Sequence, residues 1–249
     1  MKFNRVTAFV TVATAAASFF YGGAANAMNL RSDLQSTFSQ YVNQEGALLN
    51  DAGLQQLDAQ SLFWNGVDPI DVFFVNEGAA FKSQLDYSIN GDASVTLFDN
   101  ISSQNSVLPE GDGVLALGEG KRVGEFDGPT QIDFFLKADG YDNPDGYVYG
   151  ADASANPDGL QHMVAFNYYD DVADEYWTII GFEDLYGELG AKDAPNQNSD
   201  RDFNDVVFAV RGVQGETVVK TPEPSAMLAF VGLGLAGGLK QIRRKKTVA

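Results

Sequence analysis

The sequence predicts an all-β fold: a β-sandwich, with the jelly roll as one form of it, carrying one short N-terminal amphipathic helix. Three observations point there. Short runs rich in β-branched and aromatic residues recur from Asp71 onward, Pro, Gly, Asn and Asp separate them, and one window alone has a clear helical period.

That window is residues 29–45. Leu30, Leu34, Phe38, Tyr41 and Val42 recur at helical spacing, and Gly46 is a credible stop. Such a stripe is expected to pack on its own domain. Strands are expected at 71–75, 94–98, 131–137, 162–169, 176–182 and 205–211. Asn-Pro-Asp-Gly occurs at 143–146 and again at 156–159, where Pro presets a turn and Gly tolerates positive φ. A ligand role for Asp145 or Asp158 is secondary to that turn chemistry.

Both ends read as addresses. Lys2 and Arg5 precede an apolar run and then Ala25-Asn26-Ala27, the pattern of a secretory signal peptide cleaved after Ala27. At the other end Pro222-Glu223-Pro224 precedes an apolar stretch, 225–239, and a cluster of Lys240, Arg243, Arg244, Lys245 and Lys246. Fifteen helical residues reach about 22 Å against a hydrocarbon core of about 30 Å, so the stretch spans only with help from flanking residues and snorkelling bases. The bases would stay in the cytoplasm and leave the preceding domain outside, the orientation the signal peptide also predicts. The expected organisation is a signal peptide (1–27), a helical segment (28–64), the sandwich (65–212), a linker (213–221) and the C-terminal signal (222–249).

This tail resembles the PEP-CTERM sorting signal, although its basic cluster mixes Lys and Arg where an Arg run is usual. The resemblance implies that an exosortase, a membrane-embedded processing enzyme, recognises Pro222, Glu223 and Pro224 and removes the tail after transient membrane insertion. Signal peptidase and exosortase are then partners during export. The destination is the cell surface, outer envelope or extracellular space.

Charge narrows the function. The chain carries −18 overall; without the +2 of residues 1–27 and the +4 of residues 222–249, the body stands at −24. Such a surface repels phosphate backbones, excluding nucleic acid as a partner, and attracts divalent cations. With no cysteine, extracellular stability cannot come from disulfides. A cation is an alternative source.

The acids are concentrated. Residues 139–205 hold sixteen Asp or Glu against Lys192 and Arg201. Within 199–210, Asp200, Asp202 and Asn204 alternate and Val206, Phe208 and Val210 continue the alternation. One regular strand would aim those carboxylates at the core. Oxygens at alternating loop positions are what calcium loops supply, and Glu183-Asp184 at the end of another strand could close the shell. The candidate ligands for Ca2+ are Glu183, Asp184, Asp200, Asp202, Asn204 and Asp205. The other reading is an ordinary acidic loop with a bulge that redirects the strand. An EF-hand is excluded, because its sixth and twelfth positions counted from Asp200 are Asp205 and Arg211. Zinc is disfavoured by the absence of Cys and a single His162, which reads as a packed or hydrogen-bonded histidine.

Six segments, in order, carry a second resemblance: residues 71–88, 97–100, 132–141, 158–166, 181–185 and the D-x-D-F-N-D-V-V-F stretch beginning at Asp200. Together, over about 65–212, they look like the bacterial surface-protein family known as domain-of-unknown-function family forty-one-fourteen. Glu183, Asp184, Asp200, Asp202, Asn204 and Asp205 occupy its recurring acidic positions. The resemblance implies a secreted, calcium-supported β-domain and brings no established reaction.

Catalytic motifs are missing. There is no G-x-S-x-G, no H-E-x-x-H and no cysteine nucleophile, and the G-x-G-x-x-A lettering at 111–116 lacks a preceding strand. The sequence therefore predicts a non-enzymatic surface or matrix protein, structural or adhesive, with a surface protein or exopolysaccharide as partner. The alternative is a calcium-dependent carbohydrate-binding module acting on exopolysaccharide. Trp177, Tyr147, Tyr149, Tyr168, Tyr169 and Tyr176 would then form a stacking face, although strand aromatics are more commonly core or cross-strand pairs.

Overall fold

The computed structural model describes residues 28–42, 44, 46, 48–49 and 53–218. The signal peptide with its Ala25/Ala27 cleavage site and the sorting signal with Pro222, Glu223 and Pro224 lie outside the described residues. Among the described residues no helix is long and apolar enough to cross a membrane.

The elements run β1 (Met28–Asn29), α1 (Ser32–Phe38), β2 (Gln55–Leu57), β3 (Phe63–Trp64), β4 (Ile70–Glu77), β5 (Ser83–Ile89), β6 (Val95–Ile101) and β7 (Glu119–Gly124). Then follow β8 (Ile132–Lys137), β9 (Val148–Tyr149), β10 (Met163–Asp170), β11 (Glu175–Phe182), β12 (Val206–Arg211) and β13 (Val213–Gln214). A seven-stranded sheet has the order β1-β7-β4-β12-β11-β10-β2, and a four-stranded sheet the order β6-β5-β8-β9. Every pairing is antiparallel. Strands β3 and β13 form a separate pair.

The two sheets close on one core. Val72, Phe74, Ile180 and Phe208 of the larger sheet meet Leu85, Phe98, Ile132 and Phe134 of the smaller. Facing positions alternate along β8, whose burial pattern is strictly in-and-out, as expected for a sheet with one open face. The interior strand β4 departs from this, because all eight of its residues are buried. The cause is a third layer. Helix α1 lays Leu34 and Phe38 on the outer face of the larger sheet, against Phe73, Trp177 and Ile179. A strand covered on both faces loses its polar alternation.

That helix is shorter than the apolar stripe suggested. It spans Ser32–Phe38 and passes into a single 3-10 turn at Ser39–Tyr41. Upstream, Met28 and Asn29 pair with Gly120 and Glu119 in the sheet edge. The stripe nonetheless does its packing job, since Leu30 and Val42 are buried in the same outer cluster. Residues 28–64 also place β1, β2 and β3 into the sheets, so this segment is more than a helical preface.

The two Asn-Pro-Asp-Gly segments are turns, with Gly146 N–H bonding Asn143 O at 3.0 Å and Gly159 N–H bonding Asn156 O at 3.0 Å. The first joins the paired strands β8 and β9. The second leads from a 3-10 turn toward β10 and crosses between sheets, so it is no hairpin.

Candidate metal centre

The alternation from Asp200 to Val210 is not one strand. Arg201 and Phe203 adopt left-handed backbone, φ +55° and +60°, and β12 begins only at Val206. Two left-handed residues coil the loop, so Asp200, Asp202 and Asn204 are turned by the loop and not by the sheet. A register shift between Val207 and Phe208 against β4 then sets β12 in its place.

The coil gathers carboxylates. Oxygens of Glu183, at the end of β11, and of Asp200 and Asp202 lie within 4.8 Å of one another. Glu183 and Asp202 are buried, and Asp200 is the most open of the three. One Asp202 oxygen accepts the Asn204 N–H at 2.9 Å, and the other accepts the Asn204 side-chain amide at 2.7 Å. Glu183 Oε1 takes a longer bond from Leu185 N–H, 3.3 Å, while its buried Oε2 has no hydrogen-bond partner among the described residues. Asp184, Asn204 and Asp205 are buried beside the triplet with other duties. The Asp205 carboxylate accepts the Asp184 N–H at 2.7 Å, and Asn204 also donates to the Gln44 carbonyl at 3.2 Å.

A strand of chain from far upstream closes over the loop. Leu49 N–H bonds the Asp202 carbonyl at 2.7 Å, and the Gly46 N–H bonds the Asp202 carboxylate. These backbone contacts give no signal in the sequence, nor does the buried Ser199 hydroxyl beside Glu183.

The electrostatics ask for positive charge. Burial, then the Asp200 charge, pushes the Asp202 carboxyl up to about 6. Burial raises Glu183 as well, and burial with the charges of Asp184 and Glu183 holds Asp205 well above the usual carboxylate range. Among the described residues no base forms an ion pair with Glu183, Asp200, Asp202 or Asp205. The nearby Arg201 guanidinium acts on Glu183 by its charge without forming an ion pair; its contacts are with the Gln161 carbonyl and the Phe203 ring. A hard divalent cation fits this all-oxygen donor set.

His162 braces the centre without entering it. Its Nδ1 sits 2.8 Å from the Glu183 carbonyl and its Nε2 2.9 Å from Asp158 Oδ2, with Tyr149 stacked at 3.7 Å. Burial lowers the His162 pKa. Asp158 is thereby committed to His162, Leu160 N–H and Gly187 N–H. The aromatic set divides: Trp177 and Tyr149 are buried, Tyr168 packs edge-on against Phe38 at 5.0 Å, and Tyr147, Tyr169 and Tyr176 are exposed. They form no single face.

Fold and site together define an unequal β-sandwich, helix-covered on one side, with a carboxylate cluster where β11 ends and β12 begins that no base ion-pairs among the described residues. Residues 126–213, which contain that whole cluster except the upstream chain, match the model of a family described as a domain of unknown function (DUF4114). The match begins well after residue 65, so β4 to β7 lie outside it. No curated protein and no solved structure matches the chain.

Proposed function

We propose that the protein is exported, processed at its C-terminal signal by an exosortase, and serves at the cell surface or in the extracellular matrix as a structural or adhesive, non-catalytic component stabilised by calcium. The observation that carries the calcium is the convergence of Glu183, Asp200 and Asp202 within 4.8 Å, with Glu183 Oε2 buried and without a hydrogen-bond partner among the described residues. A buried carboxylate oxygen with no donor is costly unless protonated or bound to a cation. Calcium takes six to eight oxygens at about 2.3–2.6 Å, and Glu183, Asp200 and Asp202 would supply the first of them, with waters and neighbouring oxygens completing the shell.

The test is a thermal melt in millimolar calcium, in millimolar magnesium and in chelator. A rise specific to calcium is the expected result, and its disappearance in Asp202→Ala ties it to this centre. An unchanged melting temperature in a folded sample would remove the metal from the proposal. Export is tested separately: replacing Pro222 and Pro224 should leave an uncleaved tail and hold the protein in the inner-membrane fraction.

A further inference from the structure

Among the described residues the outer face of the four-stranded sheet, unlike that of its partner, has no α-helix over it, and it carries a pocket of about 480 Å³. This lies within the roughly 300–1,000 Å³ of small-ligand clefts. Phe135 stands in it, half-buried and belonging to neither hydrophobic core. The pocket is also lined by Val148, 45% exposed, and by the polar side chains of Gln60, Gln131, Asp133 and Asp152.

The pocket is built rather than incidental. Its far wall, residues 150–156, is pinned by the buried Asn156, whose Oδ1 accepts the Gly150 N–H at 2.8 Å and whose Nδ2 donates to the Gly150 carbonyl at 3.1 Å. Gly150 lets the ring lie close, since a Cβ there would come 3.0 Å from Phe135 Cδ1 and the ring would have to give by a few tenths of an ångström. Asp152, which lines the pocket, is fixed by Ser154, whose N–H and hydroxyl both bond Oδ1. Gln131 Nε2 donates to Asp133 Oδ1 at 2.9 Å, which leaves the Gln131 carbonyl oxygen as an acceptor.

We propose that this pocket binds a neutral glycan, with a sugar ring stacked on Phe135 and its hydroxyls bonded to Gln60, Gln131, Asp133 and Asp152. The chemistry selects the ligand. Among the described residues no base lines the pocket and two carboxylates do, which rejects uronate, sulfate and phosphate groups. An organic ammonium would need acceptors only, whereas the exposed Gln60 amide offers donors too. Hydroxyl groups use both. An aromatic ring beside amides and carboxylates provides the apolar sugar face and the hydroxyl edge at once. This site lies apart from the carboxylate cluster and requires no metal.

Electrophoresis of the full-length protein through native gels containing dextran, mannan or galactan, with alginate as the anionic control, reads binding as retardation. At least one neutral polymer should retard the protein, with or without chelator, and alginate should not. Phe135→Leu keeps the apolar volume but loses the flat ring, and should weaken binding about tenfold, as a stacking energy near 1.4 kcal/mol requires. Gln131→Ala, a surface change that leaves the core intact, should weaken it similarly, while Tyr147→Ala should change nothing. Retardation by none of the neutral polymers, by alginate alone, or equally in wild type, Phe135→Leu and Gln131→Ala would overturn the assignment. Dependence on calcium would overturn it too, by moving binding to the metal centre.

Discussion

The two ends of β12 solve one problem in opposite ways. At the Arg211 end, Asp71 is buried, 2% exposed, on the neighbouring strand β4. Register places Arg122 of β7 and Arg211 of β12 directly beside it, one on each flanking strand. Arg122 grips Asp71 with two bonds, 2.7 and 3.2 Å, and Arg211 adds a third at 2.8 Å. At the Asp205 end, Glu183, Asp202 and Asp205 are just as buried and no base pairs with them among the described residues. One end carries its counter-charge in the covalent chain. The other leaves it to a proton or a cation, which makes that end responsive to the medium.

Removing the internal partner should have the largest effect. Asp71→Ala takes the ion-pair partner from Arg122 and leaves Arg211 only Glu175 at 4.0 Å, and breaking a buried pair costs about 3–5 kcal/mol. Arg122 is half exposed and can recover water, so the expected loss is about 3 kcal/mol, at the lower end of that range. The loss should be the same in calcium and in chelator, measured by denaturant unfolding. A loss seen only in chelator would mean that the two ends are coupled, and the contrast between them would fail.

This contrast was only half legible in the sequence. The strands announced themselves where β-branched and aromatic residues cluster, as in β4, β11 and β12. Two did not. In β5, Ser83–Ile89, apolar residues alternate with Gln84, Asp86 and Ser88, and the pattern is short. In β7, Glu119–Gly124, the glycine at 120 reads as a break, yet it is there because the Phe73 ring lies so close that a Cβ would sit 2.4 Å from it. The acidic triplet was readable from alternating oxygens near a strand end. What separates Asp202 from Asp205 was not, because it depends on left-handed backbone at Arg201 and Phe203, residues whose side chains do not ask for it. The chain at Gln44, Gly46 and Leu49 was invisible for a related reason: it meets the loop through backbone groups, and every residue has those.

The second prediction concerns the external counter-charge. Calcium at about 100 times its Kd should add roughly 2.7 kcal/mol to the stability of the native state. Asp202→Ala should abolish that increment, and Asp71→Ala should leave it intact, since the two sites share no partner. A calcium increment of equal size in wild type and in both Asp202→Ala and Glu183→Gln would place the cation somewhere other than this cluster.

The smallest effect is on pH, and its sign is what matters. A carboxyl whose pKa is raised by folding stays protonated in the native state where the unfolded chain has already ionised. Its contribution is fully present below the unfolded value, near pH 4, and is lost as pH rises through the folded value. For Asp202 the folded value is about 6, and Glu183 and Asp205 shift in the same direction. Glu77, buried where the loop bearing Ser103 and Ser106 covers it, is pushed by burial up to about 7 and has the same sign. In chelator, stability should therefore fall between about pH 4 and pH 7, with about 2 kcal/mol of that decline from Asp202. The full two-unit difference would give nearer 3 kcal/mol, but repulsion in the acidic unfolded chain raises its carboxyl pKa values too and narrows the gap. Melting curves across that range read the slope directly. Asp202→Asn should flatten part of it, Glu77→Gln should flatten a separate part, and calcium should remove the Asp202 share by stabilising the ionised form. If neither substitution changes the slope, the acidic end is not where the protein titrates, and the carboxylates that precede β12 would be as self-sufficient as the Asp71 cluster.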